Sequence, residues 1–316
     1  MNVIYIGSMY PQGMQDDLIK MGSVVDFAGH TFQTALLSGL NKCYPEMKVI
    51  SSALTSTYPR VKKLNFEQFN FDHKGGNNKR DKYVGVQLAD SIFTVCEAAQ
   101  RTIGALRYAK RGNNDGVVYN TFPNIDYDAV ESGKLRKELG ISNDKIVVTS
   151  VGRVVKAKGH DYAIEAIKRI KDPDFVFVVV GDGPYTEVYK QQLKEEIAQK
   201  RVFVLGSRSD VKEILKDSDV FLFTTLNENH SLALMEAVNM HCTVIATNVG
   251  GNPEIIQGDE TGLLIPKMDI DSILKALIKL KDKNLRTEFA ENAYDYCRSK
   301  FCEENTYGKL DNIFSK

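Results

Sequence analysis

The chain has 316 residues, 43% apolar and 26% charged, the profile of a soluble globular protein long enough for two domains. Its 41 basic and 41 acidic side chains balance, so net charge gives no argument for a nucleic-acid partner. Residues 1–125 nevertheless carry 14 Lys/Arg against 10 Asp/Glu, with the surplus concentrated between Arg60 and Lys82. That stretch fits a solvated loop, and alternatively a patch for an anionic acceptor or a membrane surface.

In chain order, "NVIYIG" reads as a strand, "GHTFQTALLSGLNK" as a helix and "KVISSAL" as a second strand. Residues 56–87 are polar, with "KGGNNKRDK" near their centre and no clean period; His73, in "FDHKGG", reads as part of a loop. "SIFTVC" and "GVVYN" then read as strands flanking the helix "EAAQRTIGALRYAKR". About four strands in this stretch make the first domain, residues 1–125, small or incomplete for a doubly wound sheet. "NTFPNIDYDAV" is rich in Asn, Pro and Asp and opens a linker, placed at 126–144.

Residues 145–300 alternate strand and helix clearly. "KIVVTSVG", "FVFVVVGD", "RVFVLG", "VFLFTT", "CTVIATN" and "GLLIP" are continuous apolar runs, the pattern of parallel strands covered on both faces. Between them lie the amphipathic segments "HDYAIEAIKRI", "TEVYKQQLKEEIAQK", "SDVKEILKDS" and "SLALMEAVNM". The expectation is an α/β doubly wound domain, followed by a helix "NLRTEFAENAYDYCRSK" and a C-terminal helix over 301–316. Five cysteines (Cys43, Cys96, Cys242, Cys297, Cys302) show no metal spacing and read as reduced structural thiols. No secretory leader or membrane-spanning run is expected, so the localisation predicted is cytoplasmic, with peripheral attachment at the inner face of the membrane as the alternative.

Ligands of such sheets bind beyond the carboxyl ends of the strands. Five of those ends carry suitable chemistry. "RVVKAKGHD" places Arg153, Lys156 and Lys158 before a helix start, where cations oppose the helix dipole unless an anion binds. "GDGP" and "GGNPE" offer Gly183 and Gly251 for close backbone approach. "SRSD" presents Arg208 as a free cation and Ser209 as an N-cap. In "NENHSLALMEA", Glu228 falls in a loop and Glu236 in the helix that opens near Ser231. Helical spacing would separate the two glutamates by about 12 Å along the axis and about 80° around it. They therefore suit different parts of one elongated ligand rather than a hydrolytic pair. Cations for a diphosphate and carboxylates for hydroxyl groups together describe a sugar-nucleotide site.

From "ADSIFTVCEAAQ" through "VVYNTFPNID", "VGRVVKAKG", "VVVGDGP", "VLGSRSDV", "DVFLFTTLNENHSLALMEA" and "VIATNVGGNPEII" to "TGLLIP", the chain resembles the family 4 glycosyltransferases. The resemblance implies the GT-B fold: two Rossmann-like domains facing a cleft, here with a shortened N-terminal one, and a final helix that packs back on the first domain. It implies a retaining hexosyltransferase acting in polysaccharide, glycolipid or glycoprotein synthesis. The donor would be a UDP- or GDP-sugar and the acceptor a hydroxyl, with no metal or cofactor. Arg153 and Lys158 would hold the donor diphosphate, Glu228 the donor sugar and Glu236 the ribose. Ser231, Gly183, Arg208 and Gly251 would line the nucleotide pocket, and Ala28, Gly29 and His30 would face the phosphates from the first domain. His241 stands where the family has Gly, and "ENHS" replaces a Gly-Phe-Gly type of insert. A catalytically weak nucleotide-sugar-binding subunit, the partner of an active transferase, is the alternative, and a sugar-nucleotide epimerase a third. A dehydrogenase is disfavoured, because "YIGSMYPQG" lacks Gly-x-Gly-x-x-Gly.

Overall fold

The structure, a computed structural model, describes residues 49–51, 63–66, 71–74, 93–104 and 116–306. The readings of "NVIYIG", of "GHTFQTALLSGLNK" with Ala28, Gly29 and His30, of Cys43 and of the chain after Thr306 lie outside them. The chain divides into two units, residues 1–93 with 102–116, and residues 94–101 with 117–316.

In the first unit, β1 (Val49–Ser51), β2 (Lys63–Phe66) and β3 (Phe71–Lys74) form a three-stranded sheet in the order β1-β3-β2. β3 runs parallel to β1 and antiparallel to β2. His73 is thus a strand residue, in register with Ser51 and Leu64, and not part of a loop. The polar sequence hid this pairing, because the ladder is made by backbone groups and needs no apolar periodicity. β4 (Phe93–Thr94), α1 (Glu97–Gly104) and β5 (Gly116–Val117) follow, with β4 and β5 paired.

The second unit, which takes in residues 94–101 and resumes at 117, continues with α2 (Lys134–Leu139), which lies inside the segment read as a linker. Then come β6 (Ile146–Val151), α3 (His160–Arg169), β7 (Phe175–Val180), α4 (Thr186–Gln192) and α5 (Lys194–Ala198). β8 (Val202–Gly206), α6 (Val211–Lys216), β9 (Val220–Phe223), α7 (Leu232–Asn239) and β10 (Thr243–Thr247) continue the alternation. α8 (Asn252–Ile255), β11 (Leu263–Ile265), α9 (Ile270–Lys279) and α10 (Lys283–Lys300) complete it. The stretch read as one helix over 186–200 is two, meeting at Leu193, whose side chain is buried in the core.

The six strands β6 to β11 form one sheet in the order β11-β10-β9-β6-β7-β8, with every neighbouring pair parallel. Each apolar run feeds both faces, because successive side chains point to opposite sides. Ile146, Val148, Phe175 and Phe177 pack with Ile164 and Ile167 of α3 and Ile273 and Leu277 of α9. Val147, Val176 and Val178 pack on the other side with Leu135 and Ile214. Phe221, Phe223, Val244 and Ala246 pack with Leu234 and Val238 of α7 and with Ala293 and Cys297 of α10. Among the described residues, no helix is long and apolar enough to cross a membrane.

Two aspartates tie α2 to this sheet. The buried carboxylate of Asp217 accepts the backbone N–H of Gly133 at 2.5 Å and of Leu135 at 2.7 Å, satisfying amides at the helix start from 82 residues away. Asp219 accepts the Val147 amide at 2.8 Å and pairs with Arg136 at 2.8 Å. Asp217→Ala leaves two amides without their acceptor and is expected to lower stability by about 2–4 kcal/mol, read as a shifted denaturant midpoint. An unchanged midpoint would show that the carboxylate adds nothing to the docking of α2.

Candidate functional site

β6 and β9 are neighbours in the sheet but three strands apart in the chain. Taken in the domain's own strand order the sequence is 3-2-1-4-5-6, so the winding reverses between these two strands. Their following loops, 152–159 and 224–231, lie at this reversal on the carboxyl edge, the place where such sheets open a crevice for ligands. Both loops are held to one another by main chain. The Leu226 amide donates to the Ala157 carbonyl at 2.9 Å, and Thr225 Oγ1 donates to the same carbonyl at 3.2 Å. Thr224 Oγ1 donates to the Gly159 carbonyl at 3.0 Å. Gly159 has φ +67°, and a Cβ there would lie 2.0 Å from the Thr224 carbonyl oxygen, so only glycine fits.

Lys158 and Glu228 meet across this seam. Lys158 Nζ lies 2.5 Å from Glu228 Oε2, and the two side chains are 22% and 18% exposed. The cation expected at the diphosphate and the carboxylate expected at the sugar are therefore partners of one another. Arg153, on the same loop as Lys158, is exposed, and its guanidinium has no ion pair or hydrogen bond among the described residues. Its carbonyl accepts from Nε2 of the buried His160 at 3.3 Å, and burial lowers the pKa of that imidazole.

Ser231 is the N-cap of α7, its Oγ accepting the Leu234 amide at 3.3 Å. Glu236, in the second turn of α7, is mostly buried, and its carboxylate has no hydrogen bond or ion pair among the described residues. Burial pushes its carboxyl pKa up, partly offset by Lys212. A desolvated carboxylate without donors is a strong acceptor for ligand hydroxyl groups.

The glycines sit where loops approach closely. A Cβ on Gly183 would lie 2.4 Å from the Val154 carbonyl oxygen, and one on Gly251 would lie 2.2 Å from that of Asn229. Gly250, at φ +53°, would set a Cβ 1.7 Å from the Glu228 carbonyl oxygen. These residues let neighbouring loops touch backbone to backbone. Arg208 is not a free cation. It holds Asp210 at 2.8 Å and Glu138 at 2.8 and 2.9 Å; these carboxylates raise its pKa, and its guanidinium depresses theirs. Asp210, not Ser209, is the N-cap of α6, with no side-chain cap bond. Gly29 is outside the described residues.

The roles of Glu254, His230 and, at the opposite edge of the sheet, His241 were not legible in advance. Glu254 caps α1, a helix distant in sequence, accepting the Glu97 and Ala98 amides at 2.9 and 3.0 Å and the Tyr119 hydroxyl at 3.0 Å. His230 turns inward. It is 4% exposed, packed against Tyr119 and Phe301 with ring centroids at 5.1 and 4.7 Å. Neither ring nitrogen has a hydrogen-bond partner among the described residues. Burial, with Lys300 nearby, drives its pKa down to about 3, so the ring is neutral. His241 adopts φ +55° and stacks on Tyr294 at 4.6 Å, which accounts for a non-glycine residue at that turn.

The profile of the family described as "Glycosyl transferases group 1" matches residues 131–296, more than half of the chain and the whole of this crevice. The chain belongs to that family. An Escherichia coli relative, the UDP-Gal:alpha-D-GlcNAc-diphosphoundecaprenol alpha-1,3-galactosyltransferase, is 35% identical over 192 residues, 58% of this chain and 49% of the relative. The Bacillus anthracis N-acetyl-alpha-D-glucosaminyl L-malate synthase is 30% identical over 232 residues, 73% of this chain and 60% of the relative. This glycosyl transferases group 1 chain thus spans about half to three fifths of the length of these relatives. Among solved structures, Anabaena HepE in complex with UDP superposes with a TM-score of 0.66 at 20% identity, covering 90% of this chain and 77% of that one. The shared architecture is the GT-B fold of glycosyltransferases.

The imidazole of His230 gives this group 1 chain an acid-sensitive point. Its folded pKa lies below the unfolded value near 6.5, so the unfolded chain binds the proton more tightly. Stability from this residue is intact above about pH 6.5 and is lost as pH falls toward about 3. His230→Phe, which keeps an aromatic ring in the same box, is expected to flatten that acid limb in urea melts between pH 7 and 4. An acid limb of unchanged slope would place the sensitivity elsewhere.

Proposed function

We propose that the chain is a retaining, family 4 type glycosyltransferase that moves a hexosyl group from a nucleotide-diphosphate sugar to a hydroxyl of a glycan, lipid-linked or protein acceptor. The observation that carries this reading is the Lys158–Glu228 pair at the strand-order reversal, flanked by an unpaired Arg153 and an undonated Glu236 carboxylate. One elongated ligand satisfies all of them. Its diphosphate takes Arg153 and Lys158, its sugar hydroxyls take Glu228, and its ribose hydroxyls take Glu236. Gly183, Gly251 and Ser231 shape the backbone around it. As the bond from anomeric carbon to phosphate oxygen breaks, negative charge grows on the leaving diphosphate, and fixed cations lower the barrier. Those cations do this work in the proposed mechanism without a metal. Glu228 positions the sugar, and the acceptor hydroxyl attacks from the side of the leaving phosphate. Names of the relatives support the reading, since the E. coli enzyme is called a galactosyltransferase that uses UDP-Gal. The HepE structure likewise holds UDP, and a second one UDP-glucose. A cytoplasmic enzyme working at a membrane-bound acceptor accommodates both the polar chain and the basic first half.

Incubation with UDP-glucose, UDP-galactose, UDP-N-acetylglucosamine and GDP-mannose is expected to raise the melting temperature for at least one donor and to release its nucleotide slowly. Stabilisation without release favours the binding-subunit alternative, and no stabilisation by any donor overturns the reading. Glu236→Ala is expected to weaken UDP binding by about 1.5–3 kcal/mol, roughly ten- to a hundredfold in Kd by calorimetry. Lys158→Ala is expected to cut transfer by about 10²–10³ while changing donor affinity less. Transfer at the parent rate by the Lys158 variant would remove the diphosphate assignment.

A further inference from the structure

We propose that Asn120 is a positioning residue for this site, its side-chain amide clamping the loop that carries Glu228 by a buried hydrogen bond to the His230 carbonyl. The inference rests on the donor reading above for its consequence, but on geometry alone for its existence. Asn120 Nδ2 donates to the His230 carbonyl at 2.6 Å, and Asn120 is 6% exposed.

The loop is held residue by residue. The Asn229 carbonyl accepts from the Gly251 amide at 3.0 Å, and the Ser231 carbonyl from the Met235 amide at 3.2 Å. Those bonds are made by main chain, and only a proline would remove their donors. The bond to His230 differs, because its donor is a side chain 110 residues away. Without Asn120 a buried carbonyl loses this donor, and such a group costs more unpaired than the bond gains when made.

The clamp sits on a segment that is itself pinned. The second unit resumes at residue 117. The Val118 amide donates to the Thr94 carbonyl at 2.8 Å, the Tyr119 hydroxyl to Glu254 at 3.0 Å, and the Phe122 amide to the Phe301 carbonyl at 2.8 Å. Asn120 therefore presents its amide from a fixed backbone. The loop it grips turns the His230 ring inward between Tyr119 and Phe301 and leaves Glu228 at Lys158. Asn120 touches none of the groups assigned to the donor, so its effect on the ligand is indirect. It is strongest at the sugar end, where Glu228 acts, and weakest at the ribose end, where Glu236 stands on α7.

The test uses the full chain with Asn120→Ala and Asn120→Asp, the second keeping the shape but lacking the N–H donors. Hydrogen exchange of the free protein is expected to quicken about fivefold or more in peptides covering residues 226–232 in both variants, with residues 146–151 and 175–180 unchanged. With a donor that binds the parent, nucleotide-sugar affinity is expected to fall about tenfold while UDP affinity stays within about twofold. Unchanged exchange in the loop, exchange raised evenly across the sheet, or an aspartate variant behaving as the parent would each overturn the clamp. Equal losses for UDP and nucleotide sugar would overturn its placement at the sugar end. A parent chain that binds no nucleotide sugar would instead sink the donor reading, and the exchange result would still decide whether Asn120 holds the loop.

Discussion

Parallel pairing of strands that are not consecutive in the chain is the constraint from which the rest of this structure follows. β6 and β9 lie side by side, so the helices that follow them must leave the sheet in different directions. The space between the two departures cannot be filled by either helix. A lysine and a glutamate 70 positions apart meet there, at the mouth of a sheet whose two faces are sealed by aliphatic and aromatic side chains. The crevice is a by-product of winding, and the side chains around it give it chemistry.

The second contribution comes from close contact between loops. Carbonyl oxygens of Val154, Thr224, Glu228 and Asn229 sit against glycines at distances that admit no side chain. Threonine hydroxyls and backbone amides add bonds across the same seams. Segments that would otherwise be free turns are therefore fixed by packing as tight as that of the sheet below. Glu254 extends the framework by joining the start of α1, Tyr119 and, through its own carbonyl, Tyr296 and Lys300.

Much of this was legible from the residues. Continuous valine- and phenylalanine-rich runs located the six strands, and the amphipathic stretches between them located most of the helices, since burial on both faces leaves no other reading of such runs. The opening of α7 near Ser231 followed from local rules, whereas the cap expected at Ser209 falls one residue later, on Asp210. What escaped depends on partners far away in sequence. Nothing near Arg208 tells that Glu138 and Asp210 already occupy it, and nothing near Glu254 tells that it serves another helix. The strand at His73 was hidden because backbone ladders leave no mark on side-chain periodicity. The inward turn of His230 was hidden because a polar residue in a polar loop reads as exposed, whereas here two aromatic rings enclose it.

On the donor reading proposed above, the contact between Lys158 and Glu228 has a bearing on discrimination. An ammonium already neutralised by its own chain gives little purchase to a stray anion, which must first dislodge the carboxylate and leave it stranded in a half-dry recess. A molecule offering an anionic group together with donors for the freed carboxylate relieves both partners at once. Such a lock opens readily only to a visitor that carries both halves of the key, and simple phosphate or sulfate carries one.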